Sequence, residues 1–106
     1  MVFSYKSARV TYPVPGVTRR ILTHSSNLML TEHILEKGAV LPDHHHPHEQ
    51  LVYLLSGAIV LEMNGAAVKM VTGDSLDIPP DVSHKVTALE KTVALDIFSP
   101  AREDYL

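Results

Sequence analysis

Short apolar stretches separated by turn-forming residues fill most of this chain, and no segment shows the apolar spacing of an amphipathic helix. Their lengths are typical of β-strands. They comprise Arg20–Leu22, Leu28–Leu35, Gln50–Leu55, Ala58–Met63, Ala67–Val71, Ser75–Ile78, His84–Leu89 and Val93–Phe98. So many short strands in 106 residues predict an all-β protein, and a closed or two-sheet barrel is favoured because it leaves few exposed strand edges.

Two dipeptides mark turns between these stretches. Asn64-Gly65 suits a two-residue hairpin turn, in which both central residues need a positive φ. Pro79-Pro80 predicts a loop or edge segment, because proline has no N–H to donate inside a sheet. The length predicts one domain over 1–106, with the barrel core at about 27–100 and an N-terminal strand segment at 1–26.

Composition and charge exclude several classes of protein. The formal net charge is −3 with no basic stripe, so we expect no nucleic-acid partner. There is no cysteine, which excludes disulfides and thiolate chemistry and is typical of a cytoplasmic protein. The chain shows neither a long uncharged apolar run nor the pattern of a signal peptide, so we expect no membrane partner.

Histidine is the main chemical feature of the sequence. The chain has seven histidines, and four of them fall between positions 44 and 48. A single histidine is usually a surface or core residue, but a cluster of imidazoles favours a divalent metal. If this segment is one extended strand, alternation places four side chains on the same face and His45 on the other. The four are His44, His46, His48 and Gln50.

The spacing around this cluster follows a known pattern. Residues 38–57 read G-x5-H-x-H-x3-Q-x6-G, and residues 73–84 read G-x5-P-x-D-x2-H. The two segments resemble the paired motifs of the cupin superfamily. Gln50 stands where that family usually has Glu. In the second motif, Asp81 replaces a glycine and Ala88 replaces an asparagine.

The resemblance implies a small jelly-roll-like barrel with one divalent transition metal per chain, such as Ni, Zn, Mn or Fe. Its ligand positions fall on His44, His46, Gln50 and His84. Because Gln50 is a neutral amide, the site would be one unit more positive than one with glutamate. That difference favours a substrate that carries its own negative charge.

Three segments narrow the resemblance. HPHEQ at 46–50, TRRILTHSSNLML at 18–30 and ALDIFSPAREDYL at 94–106 are similar to the pectin-degradation cupins. Those small metal-binding enzymes convert unsaturated uronate monosaccharides to their linear keto forms. The resemblance implies that Asp96 and Arg102 are catalytic and that Phe98 and Arg102 bind the sugar acid. Asp96 would move a proton as the ring opens, and Arg102 would hold the carboxylate with two parallel hydrogen bonds.

Taken without the resemblance, the same residues have simpler interpretations. Asp96 would be an edge-strand charge, Phe98 a core residue and Arg102 a solvated residue of the tail. Strand alternation does place Phe98 on the same face as Asp96. An acid, an aromatic ring and an arginine beside a metal would form a plausible sugar-acid pocket.

Other functions remain open at this point. A metal-dependent oxygenase would need a redox-active metal with open coordination sites. A non-catalytic small-molecule-binding module and a polyketide-cyclase-like cupin are the further alternatives. We also expect a homodimer, because Leu51, Tyr53 and Leu55 point away from the ligand face and leave apolar surface to be covered.

Overall fold

Ten β-strands form two sheets in this structure, a computed structural model that describes all 106 residues. The strands are β1 Arg9–Thr11, β2 Val17–His24, β3 Met29–Leu35, β4 Val40–His44, β5 Glu49–Ser56, β6 Ala58–Met63, β7 Ala66–Val71, β8 Ser75–Ile78, β9 His84–Ala88 and β10 Thr92–Ser99. Short 3-10 turns lie at Tyr5–Ser7 and Glu103–Tyr105. Neither is long and apolar enough to cross a membrane.

The two sheets are antiparallel throughout. The larger sheet has the strand order β1-β2-β3-β10-β5-β8, and the smaller has the order β4-β9-β6-β7. The N-terminal segment 1–26 contributes β1 and β2 to the larger sheet, where β2 pairs with β3. Every second residue of β3 and β10 is buried, as expected for strands with one inward face. The all-β, two-sheet barrel expected from the sequence is confirmed.

The interior has an apolar part and a polar part. Seven apolar side chains contributed by both sheets form the largest core cluster: Val52, Leu54, Ile59, Leu61, Met70, Ile78 and Ala94. A second set of buried side chains is polar: Thr31, His33, His46, Gln50, His84, Thr92, Asp96 and Arg102. Burying polar groups is unfavourable unless they find partners, so this second set marks the candidate site.

The turns follow the expectations from the sequence. Asn64 and Gly65 join β6 to β7 with φ values of 54° and 74°, both positive as the two-residue hairpin requires. Pro79-Pro80 lies in the loop between β8 and β9. Gly57 joins β5 to β6, and a Cβ there would lie only 2.4 Å from Thr92 Oγ1. Only glycine therefore allows this turn to pack so closely on β10.

Two strands lie outside the eight predicted stretches. β1 is a three-residue edge strand, and β4 is an edge strand that contains Pro42, so neither carries a strong strand signal. The expectation of one extended strand from His44 to Gln50 is wrong. β4 ends at His44 in the smaller sheet, the chain crosses over, and β5 begins at Glu49 in the larger sheet.

Candidate active site

Three histidines meet where the two sheets come together. His44 ends β4 and pairs directly with His84, the first residue of β9. His46 lies in the crossover loop that leads to β5. The ring centroids of His44 and His84 are 4.2 Å apart, and those of His46 and His84 are 5.2 Å apart. One ring nitrogen from each of the three lies within 4.8 Å of the others, so the cluster could hold one metal ion.

Backbone carbonyls fix the orientation of all three rings. Nδ1 of His44 lies 2.8 Å from the oxygen of Pro42, Nδ1 of His46 lies 3.0 Å from that of His48, and Nδ1 of His84 lies 2.9 Å from that of Val82. A carbonyl oxygen accepts only, so each Nδ1 carries the proton. The lone pair of each ring is therefore on Nε2, the arrangement found in metal-binding histidines.

Gln50 completes the donor set. Its Oε1 lies 3.0 Å from Nε2 of His46, and its Nε2 donates a 2.8 Å hydrogen bond to Oδ1 of Asp96. With the His46 proton on Nδ1, His46 Nε2 and Gln50 Oε1 face each other, and each carries a lone pair but no hydrogen. Such a close pair is unfavourable unless a cation lies between them. The donor set of three imidazoles and one amide oxygen thus fits a divalent transition metal.

Burial keeps two of these histidines neutral. Desolvation lowers the pKa of His46, and the positive charge of Arg102 lowers it further. Desolvation also lowers the pKa of His84. Neutral imidazole is the form that binds metal, so both residues remain competent ligands below the pH at which a free histidine would be protonated.

Asp96 lies on β10 beside this cluster. It is 5% exposed, and it accepts hydrogen bonds from Gln50 on one oxygen and from His33 on the other. Phe98, two residues further along the same face, is 1% exposed and packs its ring edge-to-face on His46. Both line the same interior cavity as His44 and His84. The structure therefore brings these sequence-predicted residues to one place.

Arg102 follows β10 and is 8% exposed. Its Nε and Nη2 donate to the two carboxylate oxygens of Asp104, at 3.0 and 2.8 Å. That fork is the one expected to hold a ligand carboxylate, and Asp104 already occupies it. Nη1 is buried without a hydrogen-bond partner in the protein, so it is the donor left for a ligand. The hydrogen bonds from Arg102, together with its charge, lower the pKa of the Asp104 carboxyl.

The sequence reasoning missed four residues of this region. Arg19, His33 and Tyr105 line the same cavity as Asp96. The guanidinium carbons of Arg19 and Arg102 lie 3.7 and 4.3 Å from the centroid of the Tyr105 ring. Asp104 is the partner of Arg102 described above. The one available signal was His33, a polar residue on the inward face of the alternating strand β3.

His45 and His48 lie outside the metal cluster. His45 is exposed, in agreement with its expected role as a bystander. His48 is half-buried, and its carbonyl oxygen orients His46. Although the expected single strand is absent, the crossover loop still brings His46 and Gln50 to the same cluster as His44.

The comparisons with known proteins agree with this geometry. Residues 31–98 match the cupin domain. The pectin degradation protein KdgF of Dickeya dadantii is 34% identical over 93 residues, which are 86% of this chain and 84% of that protein. The structure of KdgF from a Halomonas species superposes with a TM-score of 0.92 at 31% identity, over 100% of this chain and 98% of that one.

A third relative is an RmlC-like cupin from Shewanella frigidimarina. Its structure superposes with a TM-score of 0.91 at 30% identity, over 98% of this chain and 95% of that one. This chain covers most of the length of each of the three relatives, and the two solved structures share its barrel fold. The chain belongs to the cupin family and, within it, to the pectin-degradation cupins.

Proposed function

We propose that this protein is a metal-dependent enzyme that converts 4,5-unsaturated uronate monosaccharides, released from pectin or alginate, to linear 4-deoxy-5-keto uronates. One observation carries the proposal: a buried carboxylate and residues of a metal-binding cluster line one cavity, and Arg102, with its unpaired Nη1, packs against Phe98 and Tyr105 of the cavity wall. The similarity to KdgF proteins supports the assignment to pectin degradation.

The metal would be held by His44, His46, Gln50 and His84. When bound, a divalent cation supplies Lewis-acid stabilisation of the negative charge that develops on a substrate oxygen. The amide of Gln50 adds no charge to this set, so the site retains a positive field for an anionic sugar. The reaction is an isomerisation with no redox change, so the proposal does not require a redox-active metal.

Asp96 is the proposed proton carrier. Each of its oxygens accepts one hydrogen bond, which leaves lone pairs free on a carboxylate that can accept about four. It takes the proton of the anomeric hydroxyl, the bond between the anomeric carbon and the ring oxygen breaks, and an aldehyde and an enolate form. Asp96 then gives the proton to carbon 4, and the enolate becomes the 5-keto group. No proton is gained or lost overall.

Arg102 is the proposed anchor for the substrate carboxylate. Asp104 holds the guanidinium by one side and Tyr105 packs on its face, so the group is fixed before a ligand arrives. The unpaired Nη1 then offers a charge-assisted hydrogen bond to an anion. An unsaturated uronate provides such an anion beside the double bond that reacts.

A partner chain is part of the proposal. The outer apolar face of the larger sheet carries Leu51, Tyr53, Leu55 and Ile97, each more than 40% exposed in the single chain. A contiguous apolar surface of this kind is typical of protein interfaces. We infer that a second copy of the chain covers it, as the sequence also suggested.

The test is an assay of ring opening with purified metal-loaded protein. Loss of the ultraviolet absorbance of the conjugated double bond is followed with time, and the linear keto product is identified by NMR. Spontaneous ring opening provides the background rate. Asp96→Asn should lower turnover about 100-fold, whereas the same type of change on the outer surface, Glu62→Gln, should leave it unchanged. If the wild-type protein does not exceed the background, the uronate function is wrong.

A further inference from the structure

A line of hydrogen bonds runs from Asp96 to His33 and Arg19, starting at the carboxylate oxygen that Gln50 does not use. Oδ2 of Asp96 lies 2.7 Å from Nδ1 of His33, and Nε of Arg19 donates to Nε2 of His33 at 3.0 Å. The three residues come from adjacent strands, since β2 pairs with β3 and β3 pairs with β10. Arg19 and His33 are direct partners in that register. His33 is 5% exposed, so water does not compete for these bonds.

Arginine determines which nitrogen of His33 carries the proton. A guanidinium is always charged and can only donate, so Nε2 of His33 must be the acceptor. The ring proton is therefore on Nδ1, where it is donated to Asp96. An imidazolium would place a second N–H against that of Arg19. The contact thus fixes the Nδ1–H tautomer of His33.

The position of Arg19 is fixed in turn. Its guanidinium carbon lies 3.7 Å from the centroid of the Tyr105 ring, a cation–π contact that fixes the side chain in the cavity wall. The charged and titratable groups near His33 are Arg19 from β2, Asp96 from β10 and Tyr105 from the C-terminal turn, with the histidine cluster lining the same cavity. Of these groups, His33 is bonded to Asp96, and it donates to that carboxylate rather than accepting from it.

We propose that Arg19 and His33 are positioning residues: Arg19 fixes the Nδ1–H tautomer of His33, and His33 orients the Asp96 carboxylate and, as a donor to it, cannot take a proton from it. This inference rests on the proposed role of Asp96. A proton taken from the substrate hydroxyl can then move only back into the cavity, to carbon 4 of the same substrate. The pair makes Asp96 a shuttle between two substrate atoms.

The first test is independent of activity. Long-range proton–nitrogen NMR spectra of the protein loaded with Zn²⁺ distinguish the two tautomers of each histidine. We expect His33 to be protonated at Nδ1 alone in the wild type, and to lose this pattern in Arg19→Met. The matched control is Arg20→Met, which changes the neighbouring arginine on the same strand but leaves the Arg19–His33 contact intact. Protonation of His33 at Nε2 in the wild type would overturn the proposal.

The second test separates positioning from folding. Asparagine places its amide nitrogen near the position of Nδ1, so His33→Asn keeps the donor to Asp96. His33→Leu removes the donor. We expect His33→Leu to lower kcat about 10-fold or more with little change in KM, and His33→Asn to restore most of that loss. Equal losses in both variants, or a change confined to KM, would show that His33 does not act through Asp96.

The two tests also separate this inference from the proposed function. If His33 is the Nδ1–H tautomer but the wild type does not open uronates above background, the fixing of the His33 tautomer by Arg19 is still supported and the uronate function is wrong. If the wild type is active while His33 carries its proton on Nε2, the function stands and the positioning role is wrong.

Discussion

The amide of Gln50 is oriented by Asp96. Gln50 Nε2 donates to Asp96 Oδ1 at 2.8 Å, and this bond turns Gln50 Oε1 toward the histidine cluster. The hydrogen bond to Asp96 therefore explains why glutamine stands at a position where cupins usually have glutamate. A glutamate here would place two carboxylates within hydrogen-bond distance of each other. Glutamine allows a metal ligand to lie beside Asp96 and to donate a hydrogen bond to it.

Gln50→Glu should lower activity without loss of the metal. Glutamate cannot donate to Asp96 as the Gln50 amide does, and the two carboxylates would repel each other, so Asp96 would lose both a partner and its orientation. We expect metal to be retained and turnover to fall about 10-fold. Elemental analysis and kcat measure this. An unchanged kcat would mean that the hydrogen bond between Gln50 and Asp96 does not orient the carboxylate in solution.

Removing two imidazoles should abolish metal binding. His44 and His84 pair across β4 and β9, so the double variant His44→Ala with His84→Ala leaves only His46 and Gln50 as ligands. We expect less than stoichiometric metal by elemental analysis, and no uronate ring opening above background. His45→Ala is the control, because that side chain is exposed and outside the cluster. One metal per chain in the double variant would refute the ligand assignment.

Acid should destabilise the metal-free protein. Burial lowers the pKa of His46 and His84 in the folded chain, while the unfolded chain titrates near the ordinary value of about 6.5. Between the two values the unfolded state binds more protons, so this contribution to stability is present above about pH 6.5 and is lost as the pH falls toward the folded pKa values.

The measurement is the melting temperature of the metal-free protein over a series of pH values. It should fall on acidification below about pH 6.5, and the drop should be smaller in His46→Gln with His84→Gln. His45→Gln should behave like the wild type. Bound metal would reinforce the same trend, because protonated imidazole cannot bind it. A melting temperature that rises on acidification would contradict the assignment.

Local signals in the sequence were enough to predict the fold and the cluster of three histidines. Turn dipeptides and strand-length apolar stretches report on the backbone itself, and Asn64-Gly65 adopts the turn that its residue types favour. The spacing of the two histidine-containing segments identified the cluster. This worked even though the assumed continuous strand from His44 to Gln50 is absent, because motif spacing does not depend on the path of the chain between the ligands.

The sequence could not reveal contacts between distant segments. Arg19 and His33 are 14 positions apart and His33 and Asp96 are 63 apart, so only the pairing of β2, β3 and β10 brings them together. The hydrogen bonds between Arg102 and Asp104 depend on the local conformation of the C-terminal turn, which the spacing of the two residues in the sequence does not reveal. β4 was missed because an edge strand tolerates the proline and charged residue that weaken its pattern.

Arg102 and Asp104 should act together on substrate binding. Arg102→Ala removes the unpaired Nη1 donor, so KM for the uronate should rise about 10-fold or more while metal content stays unchanged. Asp104→Asn weakens the pair of hydrogen bonds that holds the Arg102 guanidinium, so it should raise KM less than Arg102→Ala does. Arg102→Lys should not restore the wild-type KM, because an ammonium cannot bind Asp104 through a planar fork and keep a fixed donor for the substrate. The neighbouring Glu103→Gln serves as the control.

The protein should be a dimer through the outer apolar face. Leu51 and Ile97 are direct partners across β5 and β10, and they are 49% and 41% exposed in the single chain. Covering such residues removes apolar surface from water at about 25 cal/mol per Å², which favours association. Light scattering at micromolar concentration should give about twice the chain mass of 11.7 kDa. Leu51→Glu with Ile97→Lys should give the monomer mass and retain bound metal, because neither side chain contacts the cluster. A wild-type mass of 11.7 kDa would show that the face stays uncovered.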